Sequence, residues 1–158
     1  MMPSRVIMVT GASRGIGLAI AKRLAAKDVA LVVTYQNKSF SGLKDLEDEL
    51  SPLCQAFEAK AFSVGDSEEA GKAVSDIVGT YGRLDVLVNN AGITRDGLSV
   101  RMSDDDFSEV IRVNLLGAFY MSRPAAKFMM RQRQGKIINV ASVVAFTGNP
   151  GQVNYAAS

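Results

Sequence analysis

The amino-acid sequence predicts an α/β fold in which helices cover both faces of an open, doubly wound parallel sheet. Five short apolar runs alternate with segments of helical periodicity along the chain. The first apolar run ends in a glycine-rich turn that leads directly into a helical pattern. Continuous apolar strands are typical of parallel sheets that are buried on both faces, and the intervening helices supply the crossover connections.

The first half of the chain contains two strand–helix units. The runs RVIMVT (residues 5–10) and VALVVTY (residues 29–35) predict the first two strands. Each is followed by a segment with three apolar side chains at helical spacing: Ile16, Ile20 and Leu24 in the first, and Leu43, Leu46 and Leu50 in the second.

The second half repeats the alternation. Further apolar runs predict strands within residues 55–64, 84–89 and 135–142. Residues 67–82 predict a helix with Ser67 as its N-cap, and residues 103–134 read as helical, opened by the capping sequence SDDD and divided around Val113 and Asn114. The sequence GQVNYAAS (residues 151–158) begins another helix.

In such a sheet, ligands bind beyond the carboxyl ends of the strands, where the strand order changes direction. We therefore expect the functional residues to follow Thr10, Tyr35, Asn89 and Ala141.

Composition excludes several kinds of chemistry. The 158 residues include no His, so histidine-dependent triads and zinc–histidine sites are excluded, and we expect no metal. Charge is nearly balanced, with 18 Lys and Arg against 16 Asp and Glu, which predicts neither a nucleic-acid nor a membrane surface. No apolar run approaches the roughly 20 residues of a membrane span. The lone Cys54 predicts a small buried or half-buried hydrophobe and not a nucleophile. A cytoplasmic location is compatible, or an organelle matrix if a targeting segment was removed.

The turn after the first strand has the pattern of a phosphate-binding loop. In TGASRGIG, Gly11 would permit the tight turn, Gly15 would let a phosphate approach the backbone, and Gly17 would let the helix pack closely. The N–H groups of the first helical turn would then face the phosphate. The alternative is a plain strand-to-helix turn.

The end of the second strand favours NADP(H) over NAD(H). No acidic side chain stands at Thr34, Tyr35 or Gln36 to bond a ribose 2′-hydroxyl. Arg14 and Lys38 could instead neutralise a 2′-phosphate, unless both are simply solvated.

Five motifs occur in order along the chain: TGASRGIG, NNAG (residues 89–92), VNLLG around Asn114, NVASVV around Ser142, and NYAAS (residues 154–158). With them the chain resembles the short-chain dehydrogenase/reductase family. The resemblance implies that residues 1–158 form a single NAD(P)-binding Rossmann-type domain. It also implies that the C-terminal part is missing, because the family's Tyr-x-x-x-Lys motif would place a lysine directly after Ser158.

The resemblance assigns catalytic roles to Asn114, Ser142 and Tyr155. Tyr155 matches the tyrosine that supplies a proton to the carbonyl oxygen, assisted by the lysine. Ser142 matches the serine that polarises the carbonyl. Asn114 matches an asparagine that holds a water in a proton relay, although an Asn between helical patterns is often only a cap or kink.

The cofactor-binding residues expected from the loop, the strand ends and the resemblance form one set: Gly11, Ser13, Arg14, Gly15, Ile16, Gly17, Tyr35, Lys38, Val64, Asn90, Ala91, Gly92 and Tyr155. Asn89 is expected instead to brace the strand. The sequence FSVGDSEE departs from the family pattern, because Asp66 stands late for an adenine contact.

Within the family, the stretches NNAGITRDGL and MMRQRQGKIINVASVV most resemble reductases of 3-oxoacyl thioesters on acyl carrier protein. That resemblance implies NADPH-dependent reduction in fatty-acid synthesis and a homotetramer. Arg131 and Arg133 would dock the acidic carrier protein near the mouth of the site, or else form an exposed helix end. The alternatives are another carbonyl or hydroxysteroid-type reductase, or a catalytically silent cofactor-binding fragment.

Overall fold

A computed structural model describes residues 3–36 and 40–158, which form a five-stranded parallel sheet in the order β3-β2-β1-β4-β5. The strands are β1 (Arg5–Val9), β2 (Val29–Tyr35), β3 (Ala56–Ala61), β4 (Val86–Asn89) and β5 (Lys136–Asn139). The chain moves outward from β1 through β2 to β3, and then crosses to the other side of β1 to form β4 and β5. The switch point predicted for a doubly wound sheet therefore lies between β1 and β4.

Helices connect the strands on both faces, as predicted. They are α1 (Gly15–Leu24), α2 (Leu43–Leu50), α3 (Ser67–Tyr81), α4 (Asp104–Val110), α5 (Gly117–Gln132), α6 (Val144–Thr147) and α7 (Val153–Ala156). Short 3-10 turns occupy Ser51–Leu53 and Ser99–Arg101. Between α4 and α5 the chain stays helical through a wider π-helical segment, Ile111–Leu116, so the predicted division around Val113 and Asn114 is a change of helical winding and not a break.

Alternate residues of the central strands feed two hydrophobic cores. Val6 and Met8 of β1 pack in the core that includes α3 and α5, whereas Ile7 and Val9 pack in the core that includes α1 and α2. This division follows from the two-residue period of a strand and explains why β1 and β2 are apolar at nearly every position. Each fully buried Ile or Leu side chain stabilises the fold by about 1.5–3 kcal/mol.

The first two helices present different faces to the core. Leu46 and Leu50 of α2 are buried as expected. In α1, Ile16 is 67% exposed, and the buried side is formed by Gly17 and Ala21. Ile16 therefore lies outside the core, and its expected role in cofactor binding stays a prediction.

Helix caps show one confirmed and one wrong prediction. Ser103 caps α4, since its hydroxyl accepts a hydrogen bond from the Asp106 N–H at 3.1 Å. The cap of α3 is Asp66 and not Ser67: one Asp66 carboxylate oxygen accepts from the N–H groups of Glu68 and Glu69, at 2.9 and 3.0 Å. Ser67 is already the first residue of the helix.

Candidate active site

A cleft of about 340 Å³ opens at the carboxyl ends of β1 to β4, where the sheet predicts a ligand site. Its lining comes from the loops after all four strands and from the π-helical segment: Gly11, Ser13, Arg14, Thr34, Tyr35, Gln36, Phe40, Phe62, Ser63, Val64, Ala91, Gly92, Ile93 and Val113. One wall is therefore a glycine loop at the start of a helix, and the other is largely apolar.

The glycine loop packs closely against the loop after β4. Gly11 has a left-handed backbone (φ +65°), and a β-carbon there would lie 2.7 Å from the Ala91 α-carbon. A β-carbon on Gly17 would overlap the Gly11 carbonyl oxygen and the Asn90 amide. Gly15 is different, because its added β-carbon would meet only open space. Open space therefore lies next to Gly15, whereas the space next to Gly11 and Gly17 is filled by neighbouring atoms.

Side chains from β1 and β4 fix this loop by hydrogen bonds. The Thr10 hydroxyl oxygen accepts from the N–H groups of Asn90 and Ala91, both at 3.0 Å. The Asn90 side-chain amide donates to the carbonyl oxygens of Thr10 and Gly11, at 3.0 and 3.1 Å. Asn90 therefore shapes the glycine loop from behind, and Thr10, which the sequence showed only as the end of a strand, joins the two loops.

Seven of the predicted cofactor residues line the cleft: Gly11, Ser13, Arg14, Tyr35, Val64, Ala91 and Gly92. Gly17 and Asn90 lie in the loop packing behind it, and Gly15 and Ile16 lie at the exposed start of α1. Tyr155 lies on α7 and outside this lining. Lys38 falls outside the described residues.

The end of β2 presents aromatic and neutral polar groups to the cleft. The rings of Tyr35 and Phe40 lie 5.4 Å apart, and Gln36 continues the lining. Of the lining residues that the structure describes, Arg14 carries the only charge. A phosphate is therefore matched by a cation here, and no carboxylate in the described lining repels it.

The loop after β3 supplies Val64 to the apolar wall, with Ser63 beside it. The Asp66 carboxylate is directed to the first turn of α3 as its cap. The sequence position of Asp66 did not favour a contact with adenine, and its use as a helix cap agrees with that expectation.

Asn114 anchors the loop after β4. Its side-chain oxygen accepts from the Ile93 N–H at 2.9 Å, and its amide donates to the Ile93 carbonyl at 3.1 Å. The same amide donates to the Ser158 hydroxyl at 3.0 Å, and that hydroxyl donates to the Tyr155 carbonyl at 3.0 Å. The wider winding of the π-helical segment thus places Asn114 between the loop and the segment that carries Tyr155.

Ser142 and Tyr155 lie on the same edge of the sheet as the cleft. Ser142 follows β5 directly before α6, and its hydroxyl accepts from the Val144 N–H at 3.3 Å. Helix α6 packs against α7, which carries Tyr155. Within residues 3–36 and 40–158, the hydrogen bonds of Tyr155 are made by its backbone N–H and carbonyl groups.

Asn154 lies next to the candidate active-site residues, but the sequence analysis did not identify it. It precedes Tyr155, is completely buried, and bonds to the loop after β4 and to α4. Its partners lie far away along the chain, so no local pattern could predict them.

Arg131 and Arg133 are exposed, but the prediction that they flank the mouth of this chain's own site was wrong. Gln132, between them, exchanges hydrogen bonds with the backbone of Leu84, just before β4. Both arginines therefore lie near the amino end of the sheet, opposite the cleft. Arg131 also shares a face of α5 with Phe119 and Met130, whereas Arg133 ends the helix in a left-handed conformation.

Other candidate groups do not join the site. Cys54 is buried in the core with α2, and that burial raises the pKa of its thiol, which does not suit a nucleophile. No metal-binding cluster of three or more Cys, Asp or Glu side chains occurs within the described ranges. No helix in the part of the chain that the structure describes is long and apolar enough to cross a membrane.

The doubly wound sheet and its glycine-loop cleft at the switch point are the architecture typical of nucleotide-binding α/β proteins. The sequence pattern of the short chain dehydrogenase family matches residues 5–158, and the chain belongs to this family of oxidoreductases. This finding confirms the resemblance read from the five motifs.

Similar curated proteins cover nearly all of the chain. The 3-oxoacyl-[acyl-carrier-protein] reductase FabG of Staphylococcus aureus (strain Mu50) is 42% identical over 158 residues, which are 100% of this chain and 64% of that protein. The protein of the same name from Thermotoga maritima is 41% identical over 157 residues, 99% of this chain and 63% of the relative. Nodulation protein G of Rhizobium sp. (strain N33) is 45% identical, with 99% and 62% covered.

A crystal structure from Sinorhizobium meliloti 1021, provisionally described as a short-chain alcohol dehydrogenase, superposes with a TM-score of 0.91 at 32% identity. The match covers 99% of this chain and 62% of that one. The chain thus spans slightly less than two thirds of the length of these relatives.

Proposed function

We propose that the protein containing this chain reduces 3-oxoacyl thioesters carried on acyl carrier protein, with NADPH as the reductant. The observation that carries the proposal is the joint placement of a glycine-loop cleft and of Ser142 and Tyr155 at one edge of the sheet. The names of the Staphylococcus and Thermotoga relatives support this substrate class.

The cleft fits a dinucleotide in its chemistry. The open space in front of Gly15, at the start of α1, suits a pyrophosphate facing the N–H groups of the first helical turn. The apolar wall that includes Val64 and Ile93 suits a base. Arg14 is the described lining group that would bind a 2′-phosphate, which favours NADPH over NADH.

When bound, NADPH supplies the hydride that reduces the carbonyl carbon. Tyr155 donates the proton that the carbonyl oxygen needs, because a tyrosine hydroxyl can act as a general acid and Tyr155 matches the family's proton-donating tyrosine. Ser142 donates a hydrogen bond to the same oxygen as negative charge develops on it. The resemblance places a lysine after Ser158, where its charge would assist proton exchange at Tyr155.

Asn114 holds these parts together by two contacts with the backbone of Ile93 and one with Ser158. Its side-chain amide is occupied by these bonds, so its first contribution is to fix the loop that faces the nicotinamide side of the cleft. A relay through a bound water would add to this role.

A homotetramer and a carrier-protein contact complete the proposal. The outer face of α5 exposes Phe119 (53%) and Met130 (79%), and Arg123, Lys127 and Arg131 line the same surface depression, which supports a subunit contact on this helix. Arg133, at the opposite end of the sheet from the cleft, would reach a carrier protein only at the site of a neighbouring subunit.

The test is an NADPH-oxidation assay on the full-length protein with three substrates: a 3-oxoacyl thioester on acyl carrier protein, the same acyl group on a small thiol, and a free ketone. We expect the highest kcat/KM with the carrier-bound substrate. Preference for the free ketone would favour a general carbonyl reductase, and absence of turnover with all three would contradict the proposal.

A further inference from the structure

Asn154 occupies an unusual position for an asparagine. Its relative exposure is 0%, and it lies in α7, immediately before Tyr155. A fully buried amide is costly unless its donors and its acceptor are bonded, because water cannot replace a missing partner. The bonds that satisfy this side chain therefore indicate what it holds in place.

The Asn154 amide joins three backbone segments. Its oxygen accepts from the Tyr155 N–H at 2.8 Å. Its nitrogen donates to the Arg95 carbonyl, in the loop after β4, at 2.9 Å, and to the Asp106 carbonyl, in α4, at 3.4 Å. The donors and the acceptor can only be arranged this way, since both distant partners are carbonyl oxygens and the near partner is an N–H group.

Two further hydrogen bonds join the loop after β4 to the residues just before α7. The Gly97 N–H donates to the Gly151 carbonyl at 2.8 Å, and the Gln152 side chain donates to the Asp96 carboxylate at 3.1 Å. The Gln152–Asp96 bond is exposed and competes with water. The Asn154 side chain, in contrast, is fully buried.

The Tyr155 N–H lies in the first turn of α7, where backbone N–H groups have no partner within the helix. No side chain caps the start of α7. The Asn154 oxygen supplies the partner for the Tyr155 N–H, so the backbone position of Tyr155 depends on how Asn154 is held.

We propose that Asn154 is a positioning residue for Tyr155, holding its backbone against the loop after β4 and against α4 so that the hydroxyl meets the substrate oxygen. This inference rests on the proposed function, because positioning matters only if Tyr155 donates a proton. An error of about 1 Å in the placement of a reacting group can reduce a rate about 100-fold.

The test compares Asn154→Ala with Asn149→Ala in the full-length protein. Asn149 is an exposed asparagine of the same segment that bonds only to Gln152, so its replacement is a matched control. We expect Asn154→Ala to lower kcat at least tenfold while the NADPH dissociation constant changes less than twofold, since Asn154 does not line the cleft. The control should change neither.

A second readout does not need turnover. With tyrosine labelled at its ζ-carbon, the NMR signal of Tyr155, assigned from Tyr155→Phe, should shift in Asn154→Ala and stay in place in Asn149→Ala. If the wild-type protein shows no turnover, the proposed function fails, but this signal still decides whether Asn154 holds Tyr155. Asn154→Ser, a smaller change, serves if the alanine variant does not fold, and the same shift is expected.

Two results would overturn the inference. One is an Asn154 variant with kcat within twofold of wild type and an unmoved Tyr155 signal. The other is a parallel fall of kcat, NADPH affinity and melting temperature in both Asn154 variants, which would assign the residue to general folding.

Discussion

Replacing Gly17 by alanine should damage the cofactor cleft although alanine favours helices. A methyl group there would overlap the Gly11 carbonyl oxygen and the Asn90 amide, and would lie 2.9 Å from the Ala12 α-carbon. Such overpacking costs about 1–3 kcal/mol. Displacing the Asn90 amide would also weaken its two hydrogen bonds, at about 1 kcal/mol each. The gain in helix propensity is only about 1 kcal/mol, so we expect a net destabilisation of about 2–4 kcal/mol.

Gly79→Ala is the matched control. Gly79 lies inside α3, and a β-carbon there would have no neighbour within 4 Å. The same substitution should therefore stabilise the protein by about 0.5–1 kcal/mol. Urea unfolding measures both free energies, and fluorescence titration measures NADPH affinity, which should weaken at least tenfold in Gly17→Ala alone.

The reasoning would be refuted if both variants stabilised the protein equally, or if Gly17→Ala bound NADPH as the wild type does. Either outcome would mean that the loop relaxes without cost and that its close packing does not shape the cleft.

Two further predictions concern single side chains. Asp66→Ala should lower the free energy of unfolding by about 0.5–2 kcal/mol because it removes the cap of α3. Ser67→Ala should change this free energy by less than about 0.5 kcal/mol. Urea unfolding measures both values, and equal losses would contradict the observed cap. Arg14→Ala should weaken NADPH binding about tenfold or more and leave NADH binding nearly unchanged, because the guanidinium is expected to contact only the 2′-phosphate. An equal loss of affinity for both cofactors in parallel titrations would contradict that role.

The strands and the position of the cleft follow from the sequence because their causes are local. An apolar run between turn residues predicts a buried parallel strand, and parallel strands bring their carboxyl ends to one edge. Glycines at fixed spacing after such a run predict the loop. Cys54 was likewise predicted as buried, and it is.

The errors arise where the decisive contact is not local. Periodicity alone could not show that Gly17 and Ala21 form the buried side of α1 while Ile16 is exposed. Asp66 and Ser67 are both good capping residues, and only the backbone conformation selects Asp66. Arg131 and Arg133 were placed by resemblance, but the parallel direction of β5 puts them at the other end of the sheet.

Asn154 shows most clearly which contacts the sequence alone could not predict. Its partners Arg95 and Asp106 lie 59 and 48 positions away in the sequence. Nothing in the sequence NYAAS distinguishes a buried, triply bonded asparagine from an exposed one. The fold had to be known before this residue could be connected with Tyr155.

In the proposed function, this edge of the sheet delivers a proton from Tyr155 to a carbonyl reduced by NADPH. Turnover of a 3-oxoacyl thioester by the full-length protein and by Tyr155→Phe, which removes one hydroxyl and keeps the ring, tests this role. Loss of a general acid reduces rates by about 10²–10⁴-fold, and we expect a loss in this range. Turnover of Tyr155→Phe within a few-fold of wild type would contradict it.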